Sequence, residues 1–302
     1  MVAPIKVATL GNAFLDRILY VANLPVEPSK MRVKGQVETG GGIAATAAVA
    51  CARLGAVTVC YSRIGADAAG DEIIRRLREA GVRTDQVRQF DGGRSPQGTI
   101  IVEASGERMG FGFMGEGWTD DATWLDFSCL NGTAAVLADY SWWQGAAAIF
   151  SAAANRGAIS VLDADINDLE AVQRLLPLAD HVVFSQRCLA QLSGHDDPRS
   201  GLSAVAKRAN GHVSVTAGAG GFYWLEKGRV RHMPAFPVKA LDTNGAGDVF
   251  HGAYTVAVGE GRSVEQAGRF ASAAAALKCA KGSGWESIAG RSEVDLFLNG
   301  VL

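Results

Sequence analysis

The chain has 302 residues, a formal net charge of −2 and 48% hydrophobic residues. That size supports one large α/β core, and so weak a charge gives no case for nucleic acid or an anionic membrane as partner. Cys51, Cys60, Cys129, Cys188 and Cys279 are odd in number and never spaced C-x-x-C, so reduced thiols in a cytoplasmic protein are expected rather than a disulfide framework.

Residues 5–10 read as a short buried strand ending at Gly11. The N-terminus lacks a basic segment followed by a long apolar run, so no signal peptide is expected. No apolar run is long enough to span a bilayer. Segments 14–24 and 31–39 alternate apolar and polar residues around a turn from Pro25 to Pro28, which predicts antiparallel strands with one wet face. Gly40-Gly41-Gly42 then opens an alanine-rich helix that stops at Gly55. A strand over 57–64 and a helix over 70–80 follow. Segments 97–104 and 107–114 form a second alternating pair around a Ser105-Gly106 turn.

From about 134 onward, strands and helices alternate. Strands are predicted over 134–138, 159–163, 181–184 and 212–216, and helices over 144–156, 168–176, 186–193 and 201–209. That rhythm reads as βαβ units on a parallel sheet. A hairpin over 221–233 precedes helices over 246–258, 264–280 and 292–298. The expected architecture is a Rossmann-like, doubly wound α/β sheet flanked by helices, one domain over 1–302. Four extra strands, inserted at about 14–39 and 97–114, are expected to pair as a small antiparallel lid over the strand ends, where open α/β sheets bind ligands.

The stretch Leu241-Asp242-Thr243-Asn244-Gly245-Ala246-Gly247-Asp248 carries the chemistry. Its glycines allow close backbone approach, and the following helix leaves its first N–H groups unpaired at the positive end of its dipole. That is an anion site with no need of lysine. Asp248 at its mouth is not the anion bound, because like charges repel. It suits a base that takes a proton while the loop holds developing negative charge. An ordinary Asp in a first helical turn is the plainer alternative.

Other motifs point elsewhere or nowhere. No G-x-x-x-x-G-K-[ST] occurs, which excludes a Walker-type nucleotide site. The G-x-G-x-x-G run over 110–115 lies on an expected lid strand and not between strand and helix, so it reads as a chance match. His181, His195, His212, His232 and His251 have no metal-binding spacing, and Cys188 has no histidine near it in sequence.

Two segments carry a family resemblance. GGGIAATAAVACARLGA and DTNGAGDVFHGA resemble the two signatures of the PfkB, or ribokinase-like, carbohydrate kinases. The likeness runs over nearly the whole chain. It implies ATP-dependent phosphorylation of a sugar hydroxyl, with Mg2+, a monovalent cation left open, and a homodimer formed through the lid. By motif position it implies Asp248 as catalytic base with Gly245, Ala246 and Gly247 as anion hole. Asp16, Gly41, Gly42 and Thr46 would bind the sugar. Thr216, Gly218 and Gly221 would follow the nucleotide phosphates, and Ser272 would lie near the adenine.

There are departures. Ser185-Gln186-Arg187-Cys188 stands where the family often has N-x-x-E, so Mg2+ is expected to rest mostly on nucleotide and water. Thr46 stands where ribokinases have Asn. Within the family, LDRILYVANLPVEPSK and the closing AALKC resemble the 6-deoxy-6-sulfofructose kinases. Lys30 matches that branch's sulfonate lysine, but its Asn and Arg fall near Gly112 and Ser141 here. A related keto-sugar or sugar-acid substrate is therefore expected over sulfofructose. A non-catalytic sugar-binding protein with the same fold is the alternative from another class.

Overall fold

The computed structural model describes residues 4–28, 30–103, 107–166 and 168–301. Strand β1 (Lys6–Leu10) leads into β2 (Phe14–Tyr20), β3 (Gly35–Gly41) and helix α1 (Ile43–Arg53). Then come β4 (Val57–Gly65), α2 (Ala68–Glu79), β5 (Arg83–Phe90), β6 (Gln97–Val102) and β7 (Arg108–Phe113). The βαβ run follows as β8 (Thr133–Asp139), α3 (Trp143–Ala154), β9 (Ile159–Ala164), α4 (Leu169–Leu175), β10 (His181–Ser185), α5 (Gln186–Ser193), α6 (Pro198–Val205) and β11 (His212–Thr216). The hairpin β12 (Phe222–Glu226) and β13 (Arg229–Met233) precedes α7 (Ala246–Gly259), α8 (Val264–Lys281) and α9 (Arg291–Leu298).

The main sheet has the order β13-β12-β11-β10-β9-β8-β1-β4-β5, parallel from β11 to β5, with β12 and β13 antiparallel. Side chains alternate across it, as strand geometry requires. Val7, Cys60, Leu137, Val161 and Val183 pack under α1, α2, α7, α8 and α9. Ala8, Tyr61, Val136, Leu162 and Val182 pack against the helices from α3 to α6. The strand order reverses between β1 and β8, which opens a crevice at their carboxyl ends.

A second sheet has the order β3-β2-β6-β7. Its outer pairs, β2 with β3 and β6 with β7, are antiparallel as expected, but its central pair, β2 with β6, is parallel. The reason lies in the main sheet. β1 and β5 point the same way, so both excursions leave at the same edge and their first strands run alike. The predicted Ser105-Gly106 turn falls outside the described residues.

Strand β5 escaped the sequence reading. Its sequence, RTDQVRQF, is mostly polar because it is an edge strand, where charge discourages pairing with other chains.

Helices α1 and α7 cross at close range. A Cβ at Gly252 would overlap the carbonyl of Ala47, and the Cys51 thiol donates to the Gly252 carbonyl at 3.3 Å. Each helix begins in a glycine segment. Their close packing therefore brings Gly41-Gly42 and Gly245-Ala246-Gly247 together from opposite parts of the chain.

Candidate active site

Gly245 caps α7 in the left-handed region, with φ +74°, so a side chain there would strain the turn. The first N–H groups of α7 start beyond it. Segment 243–248 forms a wall between two cavities. Gly245 and Asp248 line one, while Thr243, Ala246 and Gly247 line the other.

The first cavity is small, about 80 Å3, and polar. Asp16, Gly41, Gly42, Thr46 and Asp248 all line it, although they come from β2, the start of α1 and α7. Asp16 is embraced by its sheet. A Cβ at Gly41 or at Gly98, its partner on β6, would overlap its carboxylate. Burial pushes the Asp16 carboxyl up to about 6. Trp285 closes one wall. Its Nε1 donates to Thr46 Oγ1 at 3.0 Å, and its backbone N–H donates to Thr39 Oγ1 at 3.1 Å.

The second cavity is larger, about 570 Å3, and mostly apolar, in the range of drug-sized ligand sites. Thr216, Gly218, Gly221 and Ser272 line it together, beside Phe236 and Phe250. Gly221 is fixed by close approach, since a Cβ there would meet the Met233 carbonyl.

Asp248 is pushed well above the usual carboxylate range. Burial is the main cause, Asp163 adds repulsion, and His251 offsets part of it. A carboxylate with raised proton affinity at the boundary of a polar and an apolar cavity can accept a proton from a hydroxyl.

His251 stands one turn further along α7. Its Nδ1 donates to the Gly247 carbonyl at 2.7 Å, and its Nε2 donates to the Val183 carbonyl at 3.1 Å.

Asp163 Oδ2 lies 2.9 Å from His251 Nδ1, close enough for a charge interaction but without a hydrogen bond of its own. Asp165 accepts from Ser185 Oγ at 2.7 Å and from the Ile166 N–H at 2.8 Å. Among the described residues no three His, Cys, Asp or Glu side chains gather as a metal cage. Such a site fits a cation that keeps its waters and is carried by phosphate, and not one bound by protein alone.

Three predicted positions stand apart from the cavities. Lys30 is exposed on the connection between β2 and β3 and lines neither. Ser141 donates from Oγ and from N–H to Asp139, and its Oγ accepts from the Asn12 N–H at 3.2 Å. Its hydroxyl is thus spent at the β1/β8 crevice. Gly112 sits on β7 opposite Gly98, with open space around it.

Sequence reading missed Trp285, Lys278, Arg108 and His251. Arg108 Nη1 donates to Thr243 Oγ1 at 2.8 Å and lines the larger cavity, linking β7 to the glycine loop. His251 carried a signal in its spacing, three residues after Asp248 on the same helix.

Comparison with known proteins decides the family. The chain matches the pfkB family of carbohydrate kinases over residues 4–288. It is a member of that family. It is 31% identical over 266 residues to the fructokinase of Klebsiella pneumoniae, covering 81% of each chain. It is 28% identical to the ribokinase of Staphylococcus aureus strain COL, covering 82% of this chain and 84% of that one. Its fold overlays a chain of Agrobacterium tumefaciens, provisionally assigned as a ribokinase, with TM-score 0.91, 30% identity and coverage of 99% and 98%. It also overlays the Arabidopsis thaliana ribokinase complexed with ribose and ATP, with TM-score 0.83, 25% identity and coverage of 98% and 99%. The kinase thus has the ribokinase-like α/β fold with a smaller second sheet, and its activity class is sugar phosphorylation.

Proposed function

We propose that this kinase phosphorylates a keto sugar or a sugar acid from ATP, with the sugar in the small polar cavity and the nucleotide in the larger one. The observation that carries this reading is the wall at 243–248, with Asp248 on one side and helix N–H groups beside the other. Asp248 takes the proton of the sugar hydroxyl. The freed oxygen attacks the γ-phosphorus, the bond to ADP breaks, and the N–H groups at Gly245, Ala246 and Gly247 stabilise the phosphoryl oxygens. Asp16, Gly41, Gly42 and Thr46 bind the sugar. Thr216, Gly218 and Gly221 follow the phosphates, and Ser272 lies toward the adenine. Mg2+ would be held by phosphate oxygens and water, with Asp163 or Asp165 as a helping carboxylate.

Thr46, which stands where ribokinases have Asn, supports a ketose over ribose; the relatives include a fructokinase and ribokinases and favour neither sugar. Sulfofructose is disfavoured because no arginine lines the small cavity among the described residues. Lys30 joins substrate binding in this reading only when its connection folds over the mouth.

The second sheet acts as a lid and as a dimer surface in this proposal. Met109 and Phe111 share one exposed face of β7, Phe111 being 58% exposed, and this apolar pair supports the reading. Sedimentation of the parent and of Phe111→Asp tests it, a monomeric parent being the adverse result. The free thiols Cys51, Cys60 and Cys188 are buried, which suits a reducing cytoplasm.

The test of the activity is ADP release with MgATP across a panel of ketoses, aldoses and sugar acids. Stimulation by one class supports the reading. Sugar binding without any ADP release would leave only a binding protein.

A further inference from the structure

One buried charge at the wall has no part in the reaction as drawn. Lys278 on α8 is 2% exposed and lines the small cavity. Its Nζ donates to the main-chain carbonyl of Asp242 at 3.1 Å and lies 3.7 Å from the Asp242 carboxylate. Asp242 is the residue from which the glycine loop springs. Its Oδ1 accepts the N–H of Asn244 at 2.7 Å, which sets the first turn of the loop. The N–H groups of Leu241 and Asp242 both reach the carbonyl of Cys279, at 2.8 and 3.2 Å. The end of α8 and the root of the loop are therefore one hydrogen-bonded unit.

The charges in this unit depend on one another. Asp242 Oδ2 is buried with no hydrogen-bond partner. A buried carboxylate in that state is costly unless a cation stands by. Lys278 is that cation. Burial holds its proton affinity below the usual lysine range, and Asp242 raises it in part. An ammonium facing one carbonyl and one carboxylate meets the same oxygen chemistry as a free potassium or ammonium ion would.

Resting on the kinase reading, we propose that Lys278 is a positioning residue that serves as a built-in monovalent cation. Through Asp242 it holds the 243–247 loop with its N–H groups aimed at the transferring phosphoryl group. The kinase consequently needs no added monovalent cation.

The test uses the full-length protein and Lys278→Met, which removes the charge and keeps most of the length. Tetramethylammonium, whose methyl groups hold its charge away from oxygen ligands, is the only monovalent cation at the start. The parent rate is expected to be the same there as in potassium chloride. In Lys278→Met, kcat should fall about tenfold to a hundredfold, the scale of a weakened anion hole, with little change in the sugar KM. Ammonium, methylammonium or potassium chloride should restore part of that rate. The same salts should raise the melting temperature of Lys278→Met and leave the parent's unmoved.

A parent that speeds up on adding potassium overturns the proposal. So does a variant that loses sugar affinity with kcat intact, which would make Lys278 a direct sugar contact. So does a variant that no small cation rescues. If Lys278→Met does not fold, the parent's indifference to potassium decides. If the parent turns over no sugar, the kinase reading has failed, and the melting comparison still judges the cation.

Discussion

Nδ1 of His251 lies 2.9 Å from Oδ2 of Asp163, and both ring nitrogens of His251 also face backbone carbonyls. A neutral imidazole has one donor nitrogen, and carbonyls only accept. The ring is therefore a buried imidazolium. Burial alone lowers its proton affinity, but Asp163 and the two carbonyls outweigh that and push it up to about 9. The ring ties Gly247, in the glycine loop, to Val183 on β10.

A pH dependence of stability follows. The folded value lies above the unfolded value of 6.5, so the contribution is fully present below pH 6.5 and is lost as pH rises through about 9. Urea melts of the parent should weaken across that window. His251→Gln should be less stable at pH 6.5 and should lose most of that slope. Parallel curves for the two proteins would remove the charge from His251.

Asp248→Asn should keep the fold and sugar binding and lower kcat by roughly 10²–10⁴, the range for a lost general base. The parent should also lose kcat/KM on acidification. A base must be deprotonated to act, and Asp248 binds its proton well above the ordinary carboxylate range. The acid limb should therefore lie well above the ordinary aspartate range. Near-normal turnover in Asp248→Asn would take this residue out of the chemistry.

The backbone-driven parts of this site were legible in the sequence. Gly41, Gly42 and the run from Gly245 to Asp248 announce themselves because close approach and a left-handed turn leave few residue choices. The βαβ rhythm was legible for the same kind of reason, since buried parallel strands are short apolar runs. What was not legible depends on long-range partners. Trp285 reaches Thr46 from 239 positions away, and Arg108 reaches Thr243 from 135. Lys278 looked like any helical lysine until its burial against Asp242 was known. The parallel pairing of β2 with β6 depends on the direction of β1 and β5, which no local pattern records.

Asp16 offers a test of the small cavity that does not depend on catalysis. Asp16→Ala should weaken sugar binding far more than ATP binding, by about 1–3 kcal/mol for each hydroxyl left unpaired. Gly98→Ala should act in the same direction without touching any polar group, because its Cβ would displace the Asp16 carboxylate. Calorimetry that finds sugar affinity unchanged in both variants would move the sugar elsewhere.

Substrate charge tests the small cavity from another side. The small cavity is lined by Lys278, whose ammonium is engaged by Asp242, and Lys30 stands outside it. Among the described residues no arginine lines it. A sulfonate would therefore find few charge-assisted bonds, each worth about 1.5–3 kcal/mol. A fructose-like sugar should give the higher kcat/KM. Ser141→Arg, which puts an arginine where the sulfofructose kinase resemblance places one, should destabilise the protein, because the Ser141 hydroxyl is bound to Asp139 and Asn12. Lys30→Met separates the remaining possibilities. If its connection folds over the mouth, the variant should lose kcat/KM for anionic sugars and keep it for neutral ones. If the connection stays where it is, both should be unchanged. A parent that prefers sulfofructose to fructose a hundredfold, about 2.7 kcal/mol in the transition state, would contradict the argument from missing contacts.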